Sequence, residues 1–194
     1  MGTDRVQAYR GKCPCGSGLI DIKFCTPDHP WPTNSKWFES KIDCETCNKI
    51  YSLEEKGQYY GLVEKKRIIE REHRYETYNN AKDDLMSSKQ VQEIIIKFRT
   101  FLDGQRSMAA CHRFLSGNGL LYESYSTFIK HWNGADSWVS KSLRAENLEK
   151  VLSALGIKND YITKAVSDLK RLWEEYKRPL PFHGDPLFNT SNYV

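Results

Sequence analysis

The chain has 194 residues, 39% of them hydrophobic and 28% charged, with a formal net charge of +4 and a pI of about 8.6. This is the composition of an ordinary soluble protein, long enough for two small domains or one larger one. The modest positive excess favours a polyanionic partner without demanding one. No apolar run reaches membrane-spanning length, and the polar start Met1-Gly2-Thr3-Asp4-Arg5 lacks a signal-peptide core. The expectation is therefore no membrane partner and a cytoplasmic, or nucleoid-associated, location with reducing conditions.

Four of the six cysteines fall in two close pairs, Cys13-Pro14-Cys15 and Cys44-Glu45-Thr46-Cys47. Turn-forming residues follow each pair: Gly16 and Gly18 after the first, Asn48 and Lys49 after the second. Zinc prefers four thiolate or imidazole ligands in a tetrahedron, and two such pairs brought together by a hairpin supply them. The spacing predicts one structural Zn2+ on Cys13, Cys15, Cys44 and Cys47, with no open position for catalysis. Disulfides and unliganded thiols are the alternatives; a disulfide within Cys13-Pro14-Cys15 would be strained. The first pair is Cys-x-Cys rather than Cys-x-x-Cys, and Cys25 or His29, lying between the pairs, could replace one ligand.

With these pairs, residues 9 to 62 resemble a zinc ribbon. The predicted flanking strands are Val6 to Tyr9 and the alternating run Leu19-Ile20-Asp21-Ile22-Lys23-Phe24 before the gap. After it come Ile42, Ile50-Tyr51 and Gln58 to Val63. The resemblance implies small antiparallel sheets held by one metal and no single function, because such ribbons serve DNA, RNA and proteins alike. Between the pairs, Pro27, Pro30 and Pro32 exclude a helix, so residues 26 to 41 read as a loop. Its Trp31, Trp37 and Phe38 either cap the ribbon core or form an aromatic contact surface.

From residue 64 the chain becomes densely charged, Glu64-Lys65-Lys66-Arg67-Ile68-Ile69-Glu70-Arg71, which suits a solvated helix or connector with a break at Tyr78-Asn79-Asn80. Val91, Ile94, Ile95, Phe98 and Leu102 then mark one buried helical face. Ser107 caps a second helix, and Ser116-Gly117-Asn118-Gly119 turns. A third helix follows from Ser124 to Trp132, and a fourth carries Leu148, Val151, Leu152 and Leu155. A fifth, capped by Asn159 or Asp160, carries Ile162, Val166, Leu169, Trp173 and Tyr176 and ends at Pro179. The predicted class is α+β: a small antiparallel zinc ribbon (1–66), a charged linker or helix (67–87), an all-α helical bundle (88–178) and an extended tail (179–194).

Within the bundle, Tyr125-Ser126-Thr127-Phe128-Ile129-Lys130-His131-Trp132-Asn133-Gly134 and Glu146-Asn147-Leu148-Glu149-Lys150-Val151-Leu152-Ser153-Ala154-Leu155-Gly156-Ile157 resemble the second half of a phage-repressor (Cro/CI-like) helix-turn-helix domain. The resemblance covers about residues 90 to 157, with Ser107 to Leu115 in the place of the motif's first helix. It implies that Phe128 and either His131 or Trp132 face the bundle. Tyr125, Ser126, Thr127 and Lys130 then meet duplex DNA, and Arg106 and Arg113 approach the flanking backbone. It is also compatible with a homodimer matched to paired half-sites. The expected function is a DNA-binding transcriptional regulator. The alternative is an inhibitor or adaptor that grips a protein partner with the ribbon and bundle, the helices then being a generic core. An enzyme is not expected: the chain has no Gly-rich phosphate loop, no His-Glu-x-x-His pair and no compact carboxylate cluster.

Overall fold

The computed structural model describes residues 5–26 and 37–189. It divides into two compact units, one drawn from Met1–Glu72 and Arg178–Val194, the other from His73–Lys177.

The first unit carries two antiparallel sheets. Strands β1 (Arg5–Lys12), β2 (Leu19–Thr26) and β3 (Trp37–Ile42) form one, in that order; β4 (Tyr51–Lys56), β5 (Tyr59–Glu64) and β6 (Phe188–Asn189) form the other. The alternation along β2 works as read: Ile20 and Ile22 are fully enclosed, while Lys23 is exposed. Register pairs Tyr9 with Ile22 and Ile22 with Ser40. The two sheets share a small core of Ile20, Ile22, Tyr60, Leu62 and Phe188, and Phe38 stacks on Tyr60 with ring centroids 4.4 Å apart.

Three expectations change here. Residues 37 to 41 are strand rather than loop, because Phe38 and its neighbours pair along β2. The second cysteine pair sits on a short helix, α1 (Glu45–Ile50), ahead of the Tyr51 strand. The stretch after Pro179 is not a free tail: Phe188 pairs with Tyr60, His183 N donates to Leu62 O (2.6 Å) and Leu187 N donates to Tyr60 O (2.9 Å). Aromatic contact with the sheet, which a sequence without periodicity does not announce, holds it there. Among the flagged aromatics, Trp31 lies outside the described residues and Trp37 contributes its backbone to β3.

Helix α2 (Lys65–Ser87) runs without interruption through Tyr78-Asn79-Asn80. The predicted break fails because Tyr78 is buried against Trp173, with centroids 5.0 Å apart, and side-chain packing outweighs the weak helix propensity of two asparagines. The second unit continues with α3 (Lys89–Asp103), α4 (Met108–Gly117), α5 (Tyr125–His131), α6 (Ala135–Ser142), a 3-10 turn (Ala145–Asn147), α7 (Leu148–Ala154) and α8 (Asp160–Lys177). Ser88, Ser107, Ser124 and Asn159 accept from backbone N–H groups of the first turns of α3, α4, α5 and α8. The predicted faces form one core around Phe98, Leu115, Phe128, Leu148, Val151, Ile162 and Val166. Helix α6 has no counterpart in the sequence reading. It starts at Gly134, which takes φ +92°, and buries Ala135, Trp138 and Val139 against α3. No helix among the described residues is long and apolar enough to cross a membrane.

Candidate functional site

The hairpin between β1 and β2 builds the first half of the cysteine cluster. Its last register pair is Lys12 with Leu19, and the intervening loop closes on itself: Cys13 N donates to Gly18 O (2.9 Å) and Gly16 N to Cys13 O (2.8 Å). Gly16 takes φ +78°, a conformation that L side chains rarely adopt. Strand β3 delivers the second half, since Asp43 N donates to Leu19 O (2.9 Å) and so extends the β2–β3 pairing to the edge of α1. Cys44 caps α1: its Sγ accepts from Cys47 N (3.5 Å) and its carbonyl from Asn48 N (2.8 Å). Gly18 is what lets the halves meet. A Cβ there would lie 2.6 Å from the Cys44 Cβ.

The four predicted residues are thus brought together. The sulfurs of Cys13, Cys15, Cys44 and Cys47 all lie within 4.8 Å of one another, with Cys13 and Cys47 buried and Cys15 exposed. Cys13 Sγ is 3.1 Å from Cys15 Sγ, which in turn is 3.3 Å from Cys44 Sγ. These separations are well beyond a disulfide bond of ~2.05 Å, and all four thiols are free. Gly18 N donates to Cys13 Sγ (3.2 Å), an N–H···S contact suited to a thiolate. The thiols differ electrostatically. The Ser17 backbone N–H, followed by the neighbouring thiols, draws Cys15 down to about 6. For Cys47 a backbone contact with Cys15 acts downward, but burial and the three other thiols outweigh it and push the group up to about 12. Four soft sulfur ligands so placed could hold a metal ion, with Cys15 the solvent-facing member. Gly18 was read from sequence as a turn residue only, and the Ser17 N–H was not singled out; the Gly-Ser-Gly run after Cys15 was the signal for both. His29 lies outside the described residues, and Cys25 contributes its backbone pairing with Val6 and Trp37.

The residues named for DNA lie in the second unit. On α5, Phe128 is completely enclosed and contacts Trp132 (centroids 4.9 Å apart), whereas Tyr125, Ser126 and Lys130 are exposed and Thr127 is half-buried. His131 is exposed and faces Glu123 at 3.5 Å, so Trp132 is the residue that turns inward. Arg113 on α4 and Arg106 just before it are exposed. Helix α4 packs on α5, with His112 between Tyr125 and Phe128 and its Nε2 3.1 Å from Glu123 O. Residues 118–124 separate α4 from α5, and α6 separates α5 from α7.

Compared with models of protein families, with curated proteins and with solved structures, the chain matches none.

Proposed function

We propose that the protein is a DNA-binding regulator of transcription. In this reading a structural zinc ion holds the first unit, and α5 of the second unit meets duplex DNA. The observation that carries the DNA reading is the division of α5: Phe128 anchors the helix in the core while Tyr125, Ser126 and Lys130 stand in solvent. Short hydroxyls at a helix start allow close approach to a groove, and a lysine one turn on suits a phosphate or a guanine edge. At the start of α5, Ser124 Oγ lies 2.9 Å from Ser126 Oγ and 3.0 Å from Thr127 Oγ1.

Zinc suits the cysteine cluster because a tetrahedron of sulfurs at a Zn–S distance of ~2.3 Å has edges of roughly 3.8 Å, within the span of the four thiols. All four positions would be protein ligands, which fits a structural role rather than catalysis. The thiolates it needs point to a reducing compartment.

The test is selection from a random duplex pool at two salt concentrations. The wild type is expected to enrich a sequence and to bind less tightly as salt rises, because displaced counterions return to the DNA. Ser126→Ala with Lys130→Ala should keep the fold and lose specific affinity, each base contact being worth ~1–3 kcal/mol. A wild type that enriches nothing and shows no salt dependence would replace this reading with a protein-binding one. Exposed Tyr122, Tyr125 and Ile129 would then be the contact residues.

A further inference from the structure

The second unit holds a cavity of about 620 Å³ that plays no part in the reading above. One wall is aromatic, formed by Tyr75 and Tyr78 of α2 and Trp173 of α8. Lys82 and Arg144 border the same space, and neither makes an ion pair with a described acidic residue. Lys82 Nζ stands 5.9 Å from the centre of the Tyr78 ring, so positive charge and aromatic surface are adjacent. Glu146 is the one carboxylate of the lining, and it accepts the hydroxyl of buried Tyr78. Glu146 keeps its charge in that bond, so the lining sets two cations against one carboxylate and remains net positive. Two amides, Asn79 and Asn147, add donors and acceptors, and Met86, Leu143 and Ala145 complete the lining.

A ligand that satisfies all three features has a flat ring to lie on the aromatic wall, an edge of mixed donors and acceptors, and an anionic group one side chain away. We infer that this cleft binds a nucleoside phosphate, the base against Tyr75, Tyr78 and Trp173 and the phosphate at Lys82 and Arg144. The volume falls within the ~300–1,000 Å³ usual for small-molecule sites. Base–aromatic stacking tolerates any base, so the cleft selects the class of ligand more than its identity. A free mononucleotide and a nucleotide within a single strand share this chemistry.

Titration of the full chain, followed by calorimetry and tryptophan fluorescence, separates the two sources and tests the site. The probes are AMP, ribose 5-phosphate, inorganic phosphate and an oligothymidylate. AMP should bind and quench fluorescence. Ribose 5-phosphate and inorganic phosphate should bind at least about tenfold more weakly, because they lack the base. Arg144→Glu, a surface change just before the 3-10 turn, should weaken AMP about tenfold or more with an unchanged melting curve. Lys82→Glu provides a second charge reversal should the first disturb the fold. Binding by the oligothymidylate alone, lost in Arg144→Glu, would assign the cleft to single strands and uphold the class. Absence of both AMP and oligothymidylate binding at millimolar concentration would overturn the inference. So would equal affinity for AMP and inorganic phosphate, or equal AMP affinity in wild type and both charge reversals. Ser126→Ala with Lys130→Ala should leave AMP binding untouched, so failure of the duplex reading is seen separately.

Discussion

In the helical unit Phe98, Phe128, Leu115, Leu148, Val151, Ile162 and Val166 are completely enclosed, and six helices and a 3-10 turn converge on them along with the later part of α2. In the cysteine unit the shared core reduces to Ile20, Ile22, Tyr60, Leu62 and Phe188, and the remaining enclosed members are the thiols Cys13 and Cys47. One unit therefore has an extensive apolar core. The other puts polarisable, ionisable groups where a larger domain would put leucines, and sulfurs that close together repel one another once ionised, so a bound cation would stabilise them. Apart from the two-residue β6, the strands pair over six to eight residues, and the stack of Phe38 on Tyr60 adds aromatic contact to the small core.

Removing the proposed metal should be the largest perturbation of this contrast. Apparent binding free energies of structural zinc sites reach ~10–16 kcal/mol, and most of that is folding free energy. Chelation, or Cys47→Ser, should therefore unfold the first unit while far-UV circular dichroism still reports the helices of the second. One cooperative transition that removes sheet and helix together would break the contrast. The converse experiment is smaller in scale. Phe98→Ala should cost the second unit about 3–5 kcal/mol through lost burial and a residual cavity, and should leave metal stoichiometry at one per chain by elemental analysis. Loss of metal in that variant would show that the units depend on one another.

Gly18→Ala sharpens the contrast further, since it touches the cluster without removing a ligand. The new methyl would have to displace Cys44, whose Cβ would be 2.6 Å away and whose backbone N is 3.0 Å away. Disturbing groups that orient metal ligands typically lowers affinity roughly 10- to 100-fold, and competition with a chromogenic chelator measures it. Unchanged affinity would mean that the two halves of the cluster yield easily.

The difference between the units also explains what was legible beforehand. Helical faces repeat every three to four residues, so Val91 to Leu102 and Ile162 to Leu169 announced themselves. The cysteine cluster was legible because cysteine pairs at close spacing have few other uses. Helix α6 was missed although Ala135, Trp138 and Val139 have the right spacing, because its polar residues and its start at Gly134 resemble a loop. The continuity of α2 depends on Trp173, nearly a hundred residues away, and β6 depends on Tyr60; neither is a local property. The cleft between α2 and the 3-10 turn was invisible for the same reason, since Lys82, Arg144 and Trp173 share no motif.

The smallest effects come from pH, and they should act on the two units from opposite ends. In the helical unit, burial and then the Glu146 carboxylate push the Tyr78 phenol up to about 12. Its neutral form is favoured in the folded state, so this contribution is complete below about 10 and is lost as pH rises from about 10 through about 12. Tyr78→Phe should abolish that alkaline loss at a cost of about 1 kcal/mol at neutral pH from the missing hydrogen bond. In the cysteine unit, the Arg10 guanidinium, whose Nε is 2.5 Å from Asp21 Oδ1, holds the Asp21 carboxyl below its ordinary value of 3.8. The charged form is favoured in the folded state, so this contribution is present above 3.8 and is lost as pH falls through the lower folded value. Arg10 is largely exposed, so the effect should be the weakest of the series and should fade in high salt. Urea melts followed by β-sheet signal across the acid range, at low and high salt, compare wild type with Arg10→Gln. The variant should lose the shallow acid limb that the wild type shows at low salt. Identical acid limbs in the two proteins would mean that this ion pair carries no measurable stability.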